Sequence, residues 1–325
     1  MNRSRRPVII DTDTASDDAV ALIMALRSPS IEVKAITAVA GNVPVAQAAR
    51  NALFTVELCG ADVPVFVGAA KPLERELQIA DWFHGRDGLG DQSYAPTRPA
   101  ATGDAVDALI SVVLANPGIE LITLGPLTNV ALALIRRPEL ARSISRCVIM
   151  GGAPCCEGNV TPAAEYNIWV DPEAARMVFA SGLRIEMIGW HLSRFDAVLN
   201  EREIENVLAL GTPQSEFAVR ANSTAGIAYQ KQTGQKGISL PDPVAMAVLL
   251  DPKLKLAVSR HYVAIECNSD LTRGMTVVDR LGVAADPRNF RTWSSVIETG
   301  HTIEICWKLD VPGWKSALFD ALKHK

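Results

Sequence analysis

Apolar residues fall in short continuous runs that alternate with longer segments of helical period. The run Val8–Ile10 precedes a helical pattern over Ala19–Leu26, and Ile31–Ala38 precedes one over Val45–Cys59. Further runs at Val63–Val67, Glu120–Leu124, Arg146–Met150 and Arg184–Ile188 are interleaved with helical patterns at Ala105–Ala115, Thr128–Ile135 and Pro172–Ser181. Strands that apolar have no wet face, so the rhythm predicts an α/β fold: a mostly parallel sheet with helices on both sides. Residues 201–230 read as two helical segments, and a further helix follows Asp242. Residues 257–279 carry strand formers around a turn-like Asn-Ser-Asp, and the tail reads as one strand and one helix. No repeat, linker or low-complexity tract interrupts the pattern, and one domain over residues 1–325 is the expectation.

The composition fits a soluble enzyme-sized protein: 48% hydrophobic, 21% charged, net charge −4. It offers no basic surface for nucleic acid. Three arginines open the chain, but the apolar run behind them is too short for a signal-peptide core or a membrane span, so a cytoplasmic protein is expected. The six cysteines are scattered without a metal-like spacing, which favours reduced thiols; the adjacent Cys155 and Cys156 lie in a Gly-rich loop.

Polar turns follow the apolar runs, where parallel folds place their ligands. The sharpest is DTDTASDD at 11–18, with Asp11, Asp13, Asp17 and Asp18 beside a buried-looking strand. Such crowding is repulsive in a low dielectric. A helix N-terminus accounts for Asp17 and Asp18, with Ser16 or Asp17 as the cap. It leaves Asp11 and Asp13 at the strand end unexplained, whereas a hard divalent cation accounts for all four. Glu165 and Asn167 are two apart and point the same way if that stretch is extended, with Trp169 on the same face as core packing. Asn42 and Asn129 follow turn signals and either bind a ligand or tie down a loop. His84 follows Trp82 and Phe83 in a Gly-bracketed segment, as a surface histidine or part of a mobile binding loop.

The spacing D-x-D-x-x-x-D-D resembles the N-terminal signature of the nucleoside hydrolases, the inosine-uridine-preferring family. AGN (40–42), HGRDGLG (84–90), TLGPLTNVALAL (123–134), VIMGGA (148–153), GNVTPAAEYNIWVDPEAA (158–175), PDPVAMAVLLDP (241–252) and TRGMTVVD (272–279) are similar to further landmarks of that family, in order. The resemblance implies hydrolysis of the N-glycosidic bond of a ribonucleoside. It implies one Ca2+ per subunit held by Asp13, Asp18, the Leu124 carbonyl and Asp242, with Asp13 as general base on a calcium-bound water. Asp17, Asn42, Asn167 and Asp242 would meet the 2′ and 3′ hydroxyls, and Asn159 and Glu165 the 5′ hydroxyl, with Met150 nearby. A homodimer or homotetramer, with no nucleic-acid or membrane partner, is also implied.

Two positions depart from the family pattern. Thr14-Ala15 replaces Pro-Gly in the first turn, and Pro241 stands where many members carry a histidine able to protonate the departing base. His84 and Tyr229 are the favoured substitutes as that acid; stacking on Trp82 and Trp190, or donation by His191, are the others. Pro241 also leaves open a calcium- and ribose-binding protein with little turnover, although Asp13 would then lack a purpose. A phosphohydrolase built on the acidic turn lacks the Gly-Thr and Lys that such enzymes carry.

Overall fold

The computed structural model describes residues 5–324. Of the basic opening used in the reasoning against a signal peptide, Arg3 lies outside the described residues, whereas Arg5 and Arg6 lie within them. The strands are β1 (Arg6–Thr12), β2 (Ile31–Ala38), β3 (Val65–Val67), β4 (Glu120–Thr123), β5 (Arg146–Met150) and β6 (Ile185–Ile188). They continue as β7 (Val198–Leu199), β8 (Ile238–Ser239), β9 (Lys255–His261), β10 (Val263–Ile265), β11 (Thr276–Val278) and β12 (Ile303–Leu309). Eight of them form one sheet in the order β3-β2-β1-β4-β5-β6-β12-β9. Every pairing in it is parallel except β12 with β9. β10–β11 and β7–β8 are small antiparallel pairs outside it.

The expected α/β class is therefore observed, and the residues explain it. β4 and β5 are buried along their whole length, because helices cover both faces and neither side needs a polar residue. One apolar cluster packs the first helix, Ser16–Arg27, and the helix Pro241–Leu250 on one face; the other packs Thr128–Arg136 and Pro172–Ala180 on the opposite face. Both helices of the first layer are almost wholly buried, and each points its N-terminus toward the carboxyl ends of the strands.

Several local expectations change. The segment 201–230 forms three helices, Glu201–Leu208, Pro213–Ala221 and Ser223–Thr233, because Thr212 and Asn222 break the period. Helix Pro287–Ile297 escaped the pattern because none of its residues is buried. The stretch holding Glu165 and Asn167 is not extended: Glu165 caps a short helix, Tyr166–Val170, by accepting from the backbone N–H of Asn167 and Ile168. Trp169 is only half-buried and stacks under the Arg273 guanidinium, 3.8 Å from its ring centre, so it is not core packing. No helix among the described residues is long and apolar enough to cross a membrane.

The closing helix, Val311–Leu322, supports the first layer from outside through Trp314 and Leu318, both fully buried. Leu318→Ala should cost about 2–5 kcal/mol in denaturant unfolding, because a cavity there cannot be filled by neighbours already in contact. Folded Leu318→Ala protein should retain wild-type kcat.

Candidate active site

The acidic turn lies where β1 ends and the first helix begins. Asp13 follows the strand, Thr14 and Ala15 make the turn, and Asp17 and Asp18 fall in the first helical turn. Ala15, not Ser16 or Asp17, occupies the cap position: the Asp18 carboxylate reaches back to accept from the Ala15 N–H at 3.0 Å and from the Thr12 hydroxyl at 2.5 Å. Ser16 instead meets His84 Nδ1 at 2.9 Å.

Two glycines let neighbouring loops close on Asp13. A Cβ at Gly41 would lie 2.1 Å from Asp13 Oδ2, and one at Gly125 would lie 2.7 Å from Oδ1. The close approach lets the Asn42 N–H donate to Asp13 Oδ2 at 2.6 Å. Oδ1 of the same carboxylate is buried with no hydrogen-bond partner.

Asp242 is the second residue of its helix, following Pro241, whose fixed φ and missing N–H suit the first helical position. Carboxylate oxygens of Asp17, Asp18 and Asp242 lie within 4.8 Å of one another, all buried. Two helix N-termini thus point their positive ends at one acidic cluster. That alone does not balance the charge. Burial, followed by the charges of Asp17, Asp18 and Asp13, pushes the Asp242 carboxyl well above the carboxylate range. Burial and then Asp18 do the same to Asp13, and Asp17 is pushed up to about 7 by the same two causes. The partnerless Oδ1 atoms of Asp13 and Asp242 are the positions a divalent cation would satisfy, so the residues fit one.

Asp11 does not join them. Its Oδ2 accepts from Thr37 Oγ1 at 2.6 Å and Asn129 Nδ2 at 2.9 Å, so a cation is not needed to account for all four aspartates. Asn129 also donates to the Ala38 carbonyl and accepts from the Ala69 N–H, which makes it a loop tie.

Beside the cluster opens a cavity of about 400 Å³. Asp17, Asn42, Leu124, Met150, Asn159, Glu165, Asn167 and Asp242 line it, as do His84 and Tyr229. Asn167 Nδ2 donates to the Leu124 carbonyl at 2.9 Å and approaches the Met150 carbonyl at 3.3 Å, joining β4 and β5 at the pocket floor. Glu165 accepts from the Gly152 N–H, and Asn159 Oδ1 from the Tyr166 N–H. The wall further out is aromatic: Trp82, Phe83, Tyr166, Trp190 and Tyr229. Phe83 and Tyr166 were missed in the sequence, though each sits beside a residue singled out there.

His84 is neither on the surface nor on a loose loop. It is buried, and the following turn is held by Asp87, whose carboxylate accepts from the N–H groups of Leu89, Asp91 and Ser93. Its Nδ1 is 3.9 Å from Asp17, yet burial holds its pKa down at about 3, so the ring is neutral. Tyr229 is buried in the wall, its hydroxyl 3.5 Å from Gln235 Oε1. His191 faces away from the cavity, bonded to the Cys306 carbonyl and packed on Trp307. Cys155 is exposed and Cys156 half-buried; Cys147, Cys267 and Cys306 are buried.

The inosine-uridine preferring nucleoside hydrolase model matches residues 8–314. A pyrimidine-specific ribonucleoside hydrolase of Salmonella typhimurium is 43% identical over 279 residues, 84% of this chain and 88% of that protein. A plant nucleoside hydrolase superposes with a TM-score of 0.91 at 32% identity, covering 98% of this chain and 99% of the other. The purine-preferring ribonucleoside hydrolase of Gardnerella vaginalis gives 0.85 at 30%, with the same coverage. These matches define the class: a glycosidase that cleaves ribonucleosides. The chain belongs to the inosine-uridine preferring nucleoside hydrolase family.

The neutral His84 has a consequence for pH dependence. The unfolded chain binds its proton near the usual 6.5 and the folded protein only near 3, so this group's stabilising contribution is complete above 6.5 and is lost as pH falls toward 3. The imidazole resonances of His84 should show no titration between about pH 5 and 8 in NMR spectra; a midpoint near its unperturbed value would contradict the burial argument.

Proposed function

We propose that the protein hydrolyses the N-glycosidic bond of pyrimidine ribonucleosides, uridine and cytidine, with one Ca2+ held by Asp13, Asp18, Asp242 and the Leu124 carbonyl. The observation that carries the reading is the pair of buried, partnerless carboxylate oxygens on Asp13 and Asp242, with Asp242 lining a nucleoside-sized pocket and Asp13 sealed behind it. The pyrimidine preference rests on the 43% identity to a pyrimidine-specific relative, against 30% to a purine-preferring one.

Calcium, when bound, supplies Lewis acidity and the positive charge that lets the surrounding carboxylates ionise together. Asp13 is the general base. Its Oδ2 is fixed by the Asn42 N–H and its Oδ1 would hold the cation, and the carboxylate so oriented takes the proton from the attacking water. Asp17, Asn42, Asn167 and Asp242 bind the 2′ and 3′ hydroxyls, while Asn159 and Glu165 receive the 5′ hydroxyl beside Met150. The anionic floor stabilises the positive charge that develops on the ribosyl ring as the bond to the base breaks.

Pro241 offers no proton to the departing base. Neither does an imidazolium at His84, which burial makes costly. His84, as a neutral ring beside Ser16, holds the base by hydrogen bonding, and the Tyr229 hydroxyl donates to it. Retention of Asp13 beside the cluster, oriented by the Asn42 N–H, supports turnover over the alternative of a ribose-binding protein.

Asp13→Asn should lower kcat for uridine by at least about a hundredfold, since it removes the general base. Tyr229→Phe should lower kcat for uridine while leaving p-nitrophenyl riboside, whose leaving group needs little protonation, near wild type; equal losses on both would remove Tyr229 from that role. Deoxyuridine should be cleaved far less efficiently than uridine, because the groups that receive the 2′ hydroxyl are left unpaired in the pocket. Comparable kcat/KM for the two would overturn the assignment of the ribose contacts.

A further inference from the structure

At the opposite end of the sheet from the pocket lies a ladder of alternating charges. Arg6 pairs with Glu120 at 2.7 Å, Glu120 with Arg146 at 3.5 Å, and Arg146 with Glu186 at 2.8 Å. Glu186 in turn pairs with Lys255 at 2.6 Å, and Lys255 with Glu304. Arg6, Glu120, Arg146, Glu186 and Glu304 stand in the first two positions of β1, β4, β5, β6 and β12, and Lys255 of the antiparallel β9 reaches them with its ammonium, so the ladder spans most of the sheet. Glu120, Arg146 and Glu186 are buried, and burying them would be costly unless each had its partners.

Two members do more than pair with carboxylates. Arg146 donates through Nη1 to the Leu249 carbonyl at 3.1 Å and through Nη2 to the Val248 carbonyl at 3.0 Å. Arg6 donates through Nη2 to the carbonyls of Leu249 and Leu250, at 3.1 and 3.0 Å. Those are the last carbonyls of the helix Pro241–Leu250, which the helix itself cannot satisfy and where its dipole is negative. The second residue of the same helix is Asp242.

A ten-residue helix is a stiff rod about 15 Å long, so its depth at one end sets its depth at the other. Its flanks are apolar from Pro243 to Leu249 and buried against the first helix, β5 and the closing helix. Such contacts hold the helix by packing and are non-directional. Directional bonds to the terminal carbonyls add a fixed distance along the axis. Arg146 is itself fixed in two directions by its forked pairing with Glu186.

We infer that Arg146, assisted by Arg6, is a positioning residue for Asp242: by holding the far end of the helix it sets how far the carboxylate projects into the metal cluster. The inference rests on the calcium reading above. Lys255 provides an internal control, because it belongs to the same ladder through Glu186 and Glu304 but touches no carbonyl of that helix.

The test is calorimetric titration of Ca2+ into chelator-stripped wild type, Arg146→Met, Arg146→Lys and Lys255→Met, with thermal midpoints measured on the same samples. Arg146→Met should weaken calcium binding by about tenfold or more, the range found when a group that orients a metal ligand is removed. Arg146→Lys, which keeps the charge without the fork, should lie between it and wild type. The half-saturating calcium for ribose release should rise in parallel while kcat at saturating calcium returns near the wild-type value. Lys255→Met should lower the thermal midpoint while holding its calcium affinity within about twofold of wild type, since it leaves the orienting group in place. If Arg146→Met and Lys255→Met both lose thermal stability and both keep wild-type calcium affinity, the ladder is purely structural and the inference is wrong. Should Arg146→Met not fold, Arg6→Met and Arg146→Lys carry the same comparison with Lys255→Met. A wild-type protein that binds no calcium removes the metal reading itself, and the inference with it.

Discussion

The rest of the molecule is arranged around carboxylates that repel one another where water cannot screen them. Asp13, Asp17, Asp18 and Asp242 are all buried, and burial together with their mutual charge raises the pKa of each of the first, second and fourth. An uncompensated cluster of that kind would neutralise itself by taking up protons or would open to solvent. The fold answers with two helix N-termini, with the Asn42 N–H on Asp13, and with the Thr12 hydroxyl and Ala15 N–H on Asp18. What remains unanswered is positive charge, which a divalent cation on the partnerless oxygens of Asp13 and Asp242 would supply.

Holding like charges together requires rigidity elsewhere. Gly41 and Gly125 allow two loops to close on Asp13, and Asn129 locks Asp11 behind it so that the strand end cannot shift. Asn167 ties the ends of β4 and β5 beneath the pocket, and Glu165 stitches the Gly151–Gly152 turn to the helix it caps. At the other end of the sheet the arginine ladder fastens the helix that carries Asp242. Chemistry at the carboxyl ends of the strands is supported from both ends of the fold.

Much of this was legible along the chain. Parallel strands announce themselves as unbroken apolar runs and an acidic turn as aspartates crowded behind one, so β1, the first helix and the place of the cluster could be read locally. Asp242 needed the resemblance, because a single Asp after Pro241 carries no signal of its own. Properties set by packing between distant segments were not legible. The sequence cannot show that His84 is sealed beneath Ser16, or that Asp11 faces Thr37 and Asn129 rather than the pocket. The extended reading of Glu165 and Asn167 fails because five residues are too few to separate an extended stretch from a single helical turn, and the capping carboxylate decides it. Arg146, Glu120 and Glu186 look like unrelated surface charges until the sheet brings the starts of their strands together.

The central claim is that the acidic cluster works only with a divalent cation in it, and the most direct measurement is ribose release from uridine by purified protein before EDTA treatment, after it, and after calcium is restored. The account predicts activity that EDTA abolishes and calcium returns, with magnesium a poorer substitute because the proposed ligands, carboxylates and one backbone carbonyl, would suit the larger, more flexible coordination shell. Undiminished ribose release from metal-stripped protein would contradict it, and would mean that the carboxylates share protons rather than a cation.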